Sequence, residues 1–190
     1  GGLVVSSVSR YDAIRALIPV ELAEVLAQRA DVRSVRPAAR ATTSSPSNPL
    51  EAGDIAHRAA EARQFFSADG SGIKVGVLSD SIDGLTNSQA SGALPMVTIL
   101  PGQAGRGTGE GTAMLEIVHA LAPGSPLFFA TAFASEAGFA QNIHALQAAG
   151  CNIIIDDVTY FDESPFADAP VAQAVNDVSA ANDWSAVRVA

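Results

Sequence analysis

From Ile73 onward, short apolar runs of strand length alternate with longer segments whose apolar residues recur at helical spacing. That alternation restricts the fold more than any single residue does, because parallel strands need crossover connections and helices usually supply them. Strands are expected at Ile73–Leu78, Leu127–Thr131 and Cys151–Asp157, with Met96–Leu100 as a further one. Helices are expected at Glu110–Ala122, Ser135–Ala149 and Pro170–Ala181. The expected fold class is α/β, a parallel sheet with helices on both faces. Between Gly84 and Gly109 the chain turns rich in Gly, Ser and Pro, which reads as a surface excursion near the strand ends.

The first forty residues read as a small α+β unit of their own. Leu3–Val8 suggests a strand, and Pro19–Ala30 a helix opened by Pro19 with Val20, Leu22, Ala23, Leu26 and Ala27 on its apolar side; Val32–Pro37 suggests a second strand. Residues 41–51, with Ser44-Ser45-Pro46-Ser47-Asn48-Pro49 at their centre, read as an exposed linker. Residues 52–190 form the main unit, which begins with a helix over Ala52–Phe66 through Ile55, Ala59, Ala62 and Phe66.

With 190 residues, 48% hydrophobic and only 16% charged, the chain can bury a sizeable core. Its charge is uneven. Residues 1–63 hold eight arginines against seven carboxylates, whereas residues 64–190 hold three basic residues against thirteen acidic ones, within a net charge of −9. An acidic main unit argues against nucleic acid and anionic membrane as partners, and no apolar run is long enough to span a bilayer. Cys151, the single cysteine, precedes the apolar run to Ile155 and reads as a buried structural thiol. His57 and His144 read as exposed helix positions and His119 as a helix-flank residue. None has the spacing of a zinc site, and no cofactor is implied.

Carboxylates at the ends of the expected strands and helices carry the chemistry. Glu110 heads the helix that follows the excursion, and at about 100° per residue it shares a face with Met114, Ile117 and Leu121. A carboxylate there gains from the helix dipole and loses hydration, which prepares a group for acid–base work; a first-turn acid held by the dipole alone is the plainer reading. Asp80 closes the first core strand, and Asp156-Asp157 close the Ile153–Ile155 run. In a parallel sheet Asp80, Glu110 and one of Asp156 or Asp157 can converge at the carboxyl edge, where open α/β sheets build their sites. Either of the last two could instead cap a turn.

A strand ending in Asp80, followed thirty residues later by Gly109-Glu110-Gly111-Thr112 at a helix start, resembles the subtilisin-like serine peptidases. In that family an Asp ends the first core strand and His-Gly-Thr opens the next helix. Glu110 stands in the His position, ahead of an intact Gly111-Thr112. The Ala122-Pro123-Gly124 turn is similar to the family's helix exit, and the likeness spans roughly residues 70–180. Glu in place of His is similar to the sedolisins, which use Ser, Glu and Asp. Their Asp lies one turn after the Glu, where this chain has Met114. Aligned without a gap, Ser79 rather than Asp80 falls at the subtilisin-like Asp position, so both stand as candidates. The ending of the N-terminal unit, Val32–Pro37, resembles the last strand of subtilase propeptides, which fold on the peptidase and inhibit it.

The resemblance implies a subtilisin/sedolisin-like endopeptidase in which a downstream Ser attacks the peptide carbonyl, Glu110 takes its proton and Asp80 orients Glu110. It also places Asp156 and Asp157 on the strand that binds substrate backbone, and it implies a secreted or extracytoplasmic location. No Gly-Thr-Ser occurs in the sequence. The chain is therefore expected to be a truncated or divergent member, inactive alone, whose partner is a polypeptide substrate or a C-terminal half of the peptidase domain. The alternatives are a non-catalytic peptide-binding domain that keeps the fold, and an oxygen-ligand site for a hard cation built from Asp80, Glu110, Asp156 and Asp157.

Overall fold

The computed structural model describes residues 2–43, 50–163, 166–181 and 187–189. In chain order its elements are β1 (Leu3–Val8), β2 (Ala13–Leu17), α1 (Leu22–Ala27), β3 (Thr42–Thr43), α2 (Leu50–Ala56), α3 (Ala59–Phe66), β4 (Val75–Ser79), α4 (Leu85–Ala90), β5 (Val97–Ile99), α5 (Glu110–Leu121), β6 (Leu127–Thr131), α6 (Glu136–Ala148), β7 (Ile153–Asp156), β8 (Val158–Thr159), α7 (Pro170–Ala181) and β9 (Val187–Val189). The main sheet runs β5-β6-β4-β7-β9 and is parallel throughout. The chain is α/β, a parallel sheet with helices on both faces, plus a small antiparallel hairpin formed by β1 and β2. Among the described residues no helix is long and apolar enough to cross a membrane.

β4 occupies the centre, and all five of its residues are buried. Strand alternation then sorts the core into two layers. Leu78, Ala130 and Ile154 face a cluster with Phe139, Ile143 and Leu146 of α6 and Val171 and Val178 of α7. Val75, Val77, Leu127 and Phe129 face the other side, where Leu115 of α5 is fully buried. Burying one such side chain contributes about 1.5–3 kcal/mol, so these layers supply the main driving force. The face of α5 that meets the sheet is centred on Gly111 and Leu115, with Met114 and Val118 beside them. This corrects the expected stripe through Ile117 and Leu121, which are only half-buried.

Several expected elements are revised. Val32–Pro37 forms no strand; the hairpin partner of β1 is β2, a segment with no expected element, and α1 is shorter than the expected Pro19–Ala30 helix. The expected Ala52–Phe66 helix breaks into α2 and α3 at Arg58, whose φ of 53° is left-handed. Of the expected 41–51 linker, Ala41 is half-buried, Thr42–Thr43 pair with β8, and Leu50 begins α2; residues 44–49 lie outside the described ones. The 84–109 excursion contains α4 and β5. Cys151 is buried as expected, and burial pushes its thiol up to about 11 against the opposing charge of Lys74.

The N-terminal residues sit against α6 and α7. Arg10 pairs with Asp177 at 3.1 Å, Arg15 donates to the carbonyls of Ala134 and Ala39, and Arg36 bridges Glu136 and Asp162. His144 is not exposed as expected: its Nε2 lies 3.1 Å from the Tyr11 hydroxyl and 3.7 Å from Asp177. Leu3, Val4, Val5, Ile14 and Leu17 of the hairpin remain exposed.

Gly111 marks the closest approach of α5 to the sheet. A Cβ there would overlap the Phe129 ring and stand 2.5 Å from the Ser81 carbonyl oxygen. Gly111→Ala should therefore destabilise the protein by about 1–3 kcal/mol in urea unfolding, although alanine is the better helix former. An unchanged midpoint would show that α5 does not pack this closely.

Candidate functional site

β4, β6 and β7 end side by side, and α5 packs against β4 and β6 on one face of the sheet. The residue before α5 is Gly109, whose φ of 84° is left-handed and which has no side chain to cap the helix. The cap comes from Asp80 instead. Its Oδ1 accepts the backbone N–H groups of Ser81, Glu110 at 2.9 Å and Gly111 at 3.3 Å; its Oδ2 accepts the Thr108 N–H and, at 2.8 Å, the Thr108 hydroxyl. These donors include N–H groups that a helix start leaves without internal partners.

Asp80 is only 2% exposed. Burial alone would raise its carboxyl, but the hydrogen bonds from Thr108, Ser81 and Gly111 outweigh it and hold the group below the usual aspartate range. Gly107 permits the enclosure, since a Cβ there would overlap the Asp80 carboxylate. The Gly105–Gly109 loop thus wraps a carboxylate belonging to the protein itself. Ser81 and Asp83 extend the wrap: the Ser81 hydroxyl donates to Asp83 at 2.8 Å and accepts the Gly109 N–H at 3.1 Å, while Asp83 accepts the Gly107 N–H at 3.2 Å. From β6, the Thr131 hydroxyl donates to the Asp80 carbonyl at 2.7 Å, and Asn142 of α6 donates to the Thr131 carbonyl and to Gln103.

Asp80 therefore meets Glu110 through the backbone N–H of Glu110. Its carboxylate caps the first turn of α5, the turn that carries Glu110. Ser79, the other candidate for that position, is fully buried on the α5 face, where alternation along β4 places it after Val77. The same alternation along β7 separates the two terminal acids. Asp156 pairs with Leu78 and takes the α6/α7 face, whereas Asp157 follows Ile153 and Ile155 on the α5 face.

Glu110, 8% exposed in the first turn of α5, Ser79 and Asp157 are thus assembled on one side of the sheet edge. Both Asp157 oxygens and the Ser79 Oγ are buried and complete no hydrogen bond of ordinary geometry with the described residues. Burial pushes Asp157 up to about 6; the nearby Ser79 hydroxyl opposes the rise, and the charges of Glu110 and Asp80 add to it. Sequence reasoning brought Asp80, Glu110 and one of Asp156 or Asp157 to this edge without choosing between the last two, and it missed Ser81, Asp83, Thr108 and Thr131. Their only local signal was polar residues flanking the glycines and the strand ends.

Immediately after Asp157 the chain continues into β8, and Thr42–Thr43 of β3 lie antiparallel against it, pairing with Thr159 and Val158. An extended segment of the protein is therefore hydrogen-bonded alongside the site. Compared with models of known protein families and with curated proteins, the chain matches none.

Because the Asp80 carboxyl is held below its ordinary value, its contribution to stability is complete above about pH 4 and is lost as pH falls through the depressed value. Asp80→Ala should cost at least about 2 kcal/mol at pH 7. The difference from wild type should narrow below pH 4 in thermal unfolding followed across pH. A cost independent of pH would show that the carboxylate is not what holds α5.

Proposed function

We propose that the carboxyl edge of the sheet is the acid–base and peptide-binding portion of a subtilisin/sedolisin-like serine peptidase site. The observation that carries the reading is the strand Thr42–Thr43 laid on Val158–Thr159 beside Asp157, since an extended substrate would be held by the same kind of backbone pairing. Supporting it, Glu110 occupies a nearly buried place at the head of α5, and its charge acts on a second carboxyl, Asp157.

In this reading a serine in a segment that the 190-residue sequence does not contain attacks the peptide carbonyl. Glu110 accepts the serine proton and returns it to the leaving amine; water then cleaves the acyl-enzyme. Asp80 sets the position of Glu110 by fixing the first turn of α5. A glutamate base titrates near 4.3 when unperturbed, against about 6.5 for histidine, so the activity belongs to acid pH. A secreted or extracytoplasmic location is part of the same proposal.

A second reading is a peptide-binding domain without catalysis, which would hold a peptide by the same strand-to-strand pairing. The hard-cation reading loses support: among the described residues no three His, Cys, Asp or Glu side chains are grouped to hold a metal ion.

A serine-directed fluorophosphonate should leave the 190-residue chain unlabelled. It should label a protein in which this chain is continued by a serine-bearing segment. There Glu110→Gln should lower kcat for polypeptide hydrolysis at least about 100-fold with KM little changed. Retained kcat in that variant would refute the role of Glu110. Peptide binding with neither labelling nor hydrolysis would select the non-catalytic reading.

A further inference from the structure

β1 and β2 form a sheet of two strands only, and a ribbon of that width is marginally stable by itself in water. Its two faces differ. By alternation Ala13 and Arg15 share a face with Val8, which is buried, and from that face Arg15 donates to the carbonyls of Ala134 and Ala39. Val4, Ser7, Ile14 and Ala16 make up the opposite face, and all four are exposed. At the open end of the hairpin Leu3 and Leu17 pair with each other and are likewise uncovered, at 63% and 66% exposure. The two edges differ as well. β1 carries a bulge at Val5, a device that turns an edge away from further pairing, whereas β2 keeps consecutive residues in pairing from Ala13 to Leu17. The outer edge of β2 pairs with no strand among the described residues, nor does it exchange backbone hydrogen bonds with a loop. An apolar strand thus presents a row of backbone donors and acceptors.

Charge narrows what can sit there. Copies of a chain with net charge −9 repel one another, yet Leu3–Leu17 holds a single acid, Asp12 in the turn, and the one charged side chain of β2, Arg15, is turned inward. A strongly charged partner finds no counter-charge on the Val4, Ile14 and Ala16 face, while a neutral, apolar strand matches it. β2 is itself such a strand. We propose that two copies of this chain associate through β2, antiparallel about a two-fold axis, so that two hairpins join into one four-stranded sheet. A register centred on Arg15 sets that arginine against its own copy and is disfavoured. The neighbouring register that keeps like faces together is centred on Ala16, and it sets Ile14 against Ile18 of the second copy and Arg15 against Leu17 of the second copy. A strand edge with a few apolar side chains is a small contact, which corresponds to a dimer with a Kd of about 1–100 µM. This association is independent of any peptidase chemistry at the far sheet edge.

Sedimentation equilibrium of the intact 190-residue protein between about 1 and 500 µM reads it. The mass should rise with concentration from that of one chain to twice that value and stop there. Ala16→Lys and Ala16→Glu, changes at an exposed position, should each raise the dimer Kd at least about tenfold, and an equimolar mixture of the two should restore association, because opposite charges then face each other. In Ala16→Cys, oxidation should link two copies covalently, since directly opposed residues stand about 4.5–5.5 Å apart between Cα atoms and the native Cys151 is buried. A wild-type protein that remains monomeric throughout this range would overturn the proposal, and that result needs no variant to fold. Association that Ala16→Lys leaves unchanged would overturn β2 as the interface. Growth beyond two copies, or a mixture that stays monomeric, would overturn the two-fold pairing.

Discussion

The Asp80 carboxylate joins the end of the central strand to the start of α5, and much of the sheet edge is arranged around it. A helix start preceded by glycine has donors and no side chain to satisfy them, while a buried carboxylate has acceptors and a large desolvation cost. Each offsets the other. The loop from Gly105 to Gly109 must then close over the carboxylate, which excludes a side chain at Gly107 and brings Ser81, Asp83 and Thr108 into the wrap. Thr131 and Asn142 tie the same turn to β6 and α6, so the two helical faces of the sheet are linked through one polar network.

From that anchoring follows a division of labour between acids. Asp80 is charged and surrounded by donors; Asp157, just past the end of the neighbouring strand, has few, and burial pushes its carboxyl up to about 6. Opposite environments have pushed two aspartates in opposite directions, the pattern by which paired carboxyls acquire distinct roles. Glu110 acts on both, its backbone N–H bound to the first and its charge raising the second.

The sheet was legible because its strands are short apolar runs separated by helical periods. Leu127–Thr131 and Pro170–Ala181 appear with the limits the sequence suggests, and α5 differs by one residue. Such segments are set by local periodicity reinforced by burial. The N-terminal unit was less legible, since β2 pairs with β1 through Ala13–Leu17, a stretch interrupted by Arg15 that lacks a clean alternation. The break between α2 and α3 depends on a left-handed Arg58 that no proline or glycine announces. At the site, the acids could be found from their positions at strand and helix ends. Their division could not, because it turns on where the last residue of each strand points and on backbone donors arriving from a loop about thirty residues away. The choice of Asp157 over Asp156 for the α5 face is settled by pairing register, which sequence spacing alone does not supply.

Amide hydrogen exchange at Glu110 and Gly111 reads the Asp80 cap itself, because these N–H groups lie at a helix start and are protected only if Asp80 accepts them. At neutral pH they should exchange within about tenfold of the β4 amide of Val77, as part of the global unfolding unit. Exchange about a thousandfold faster than Val77, at the rate of a frayed helix end, would contradict the account and leave Glu110 without the anchor on which the site depends.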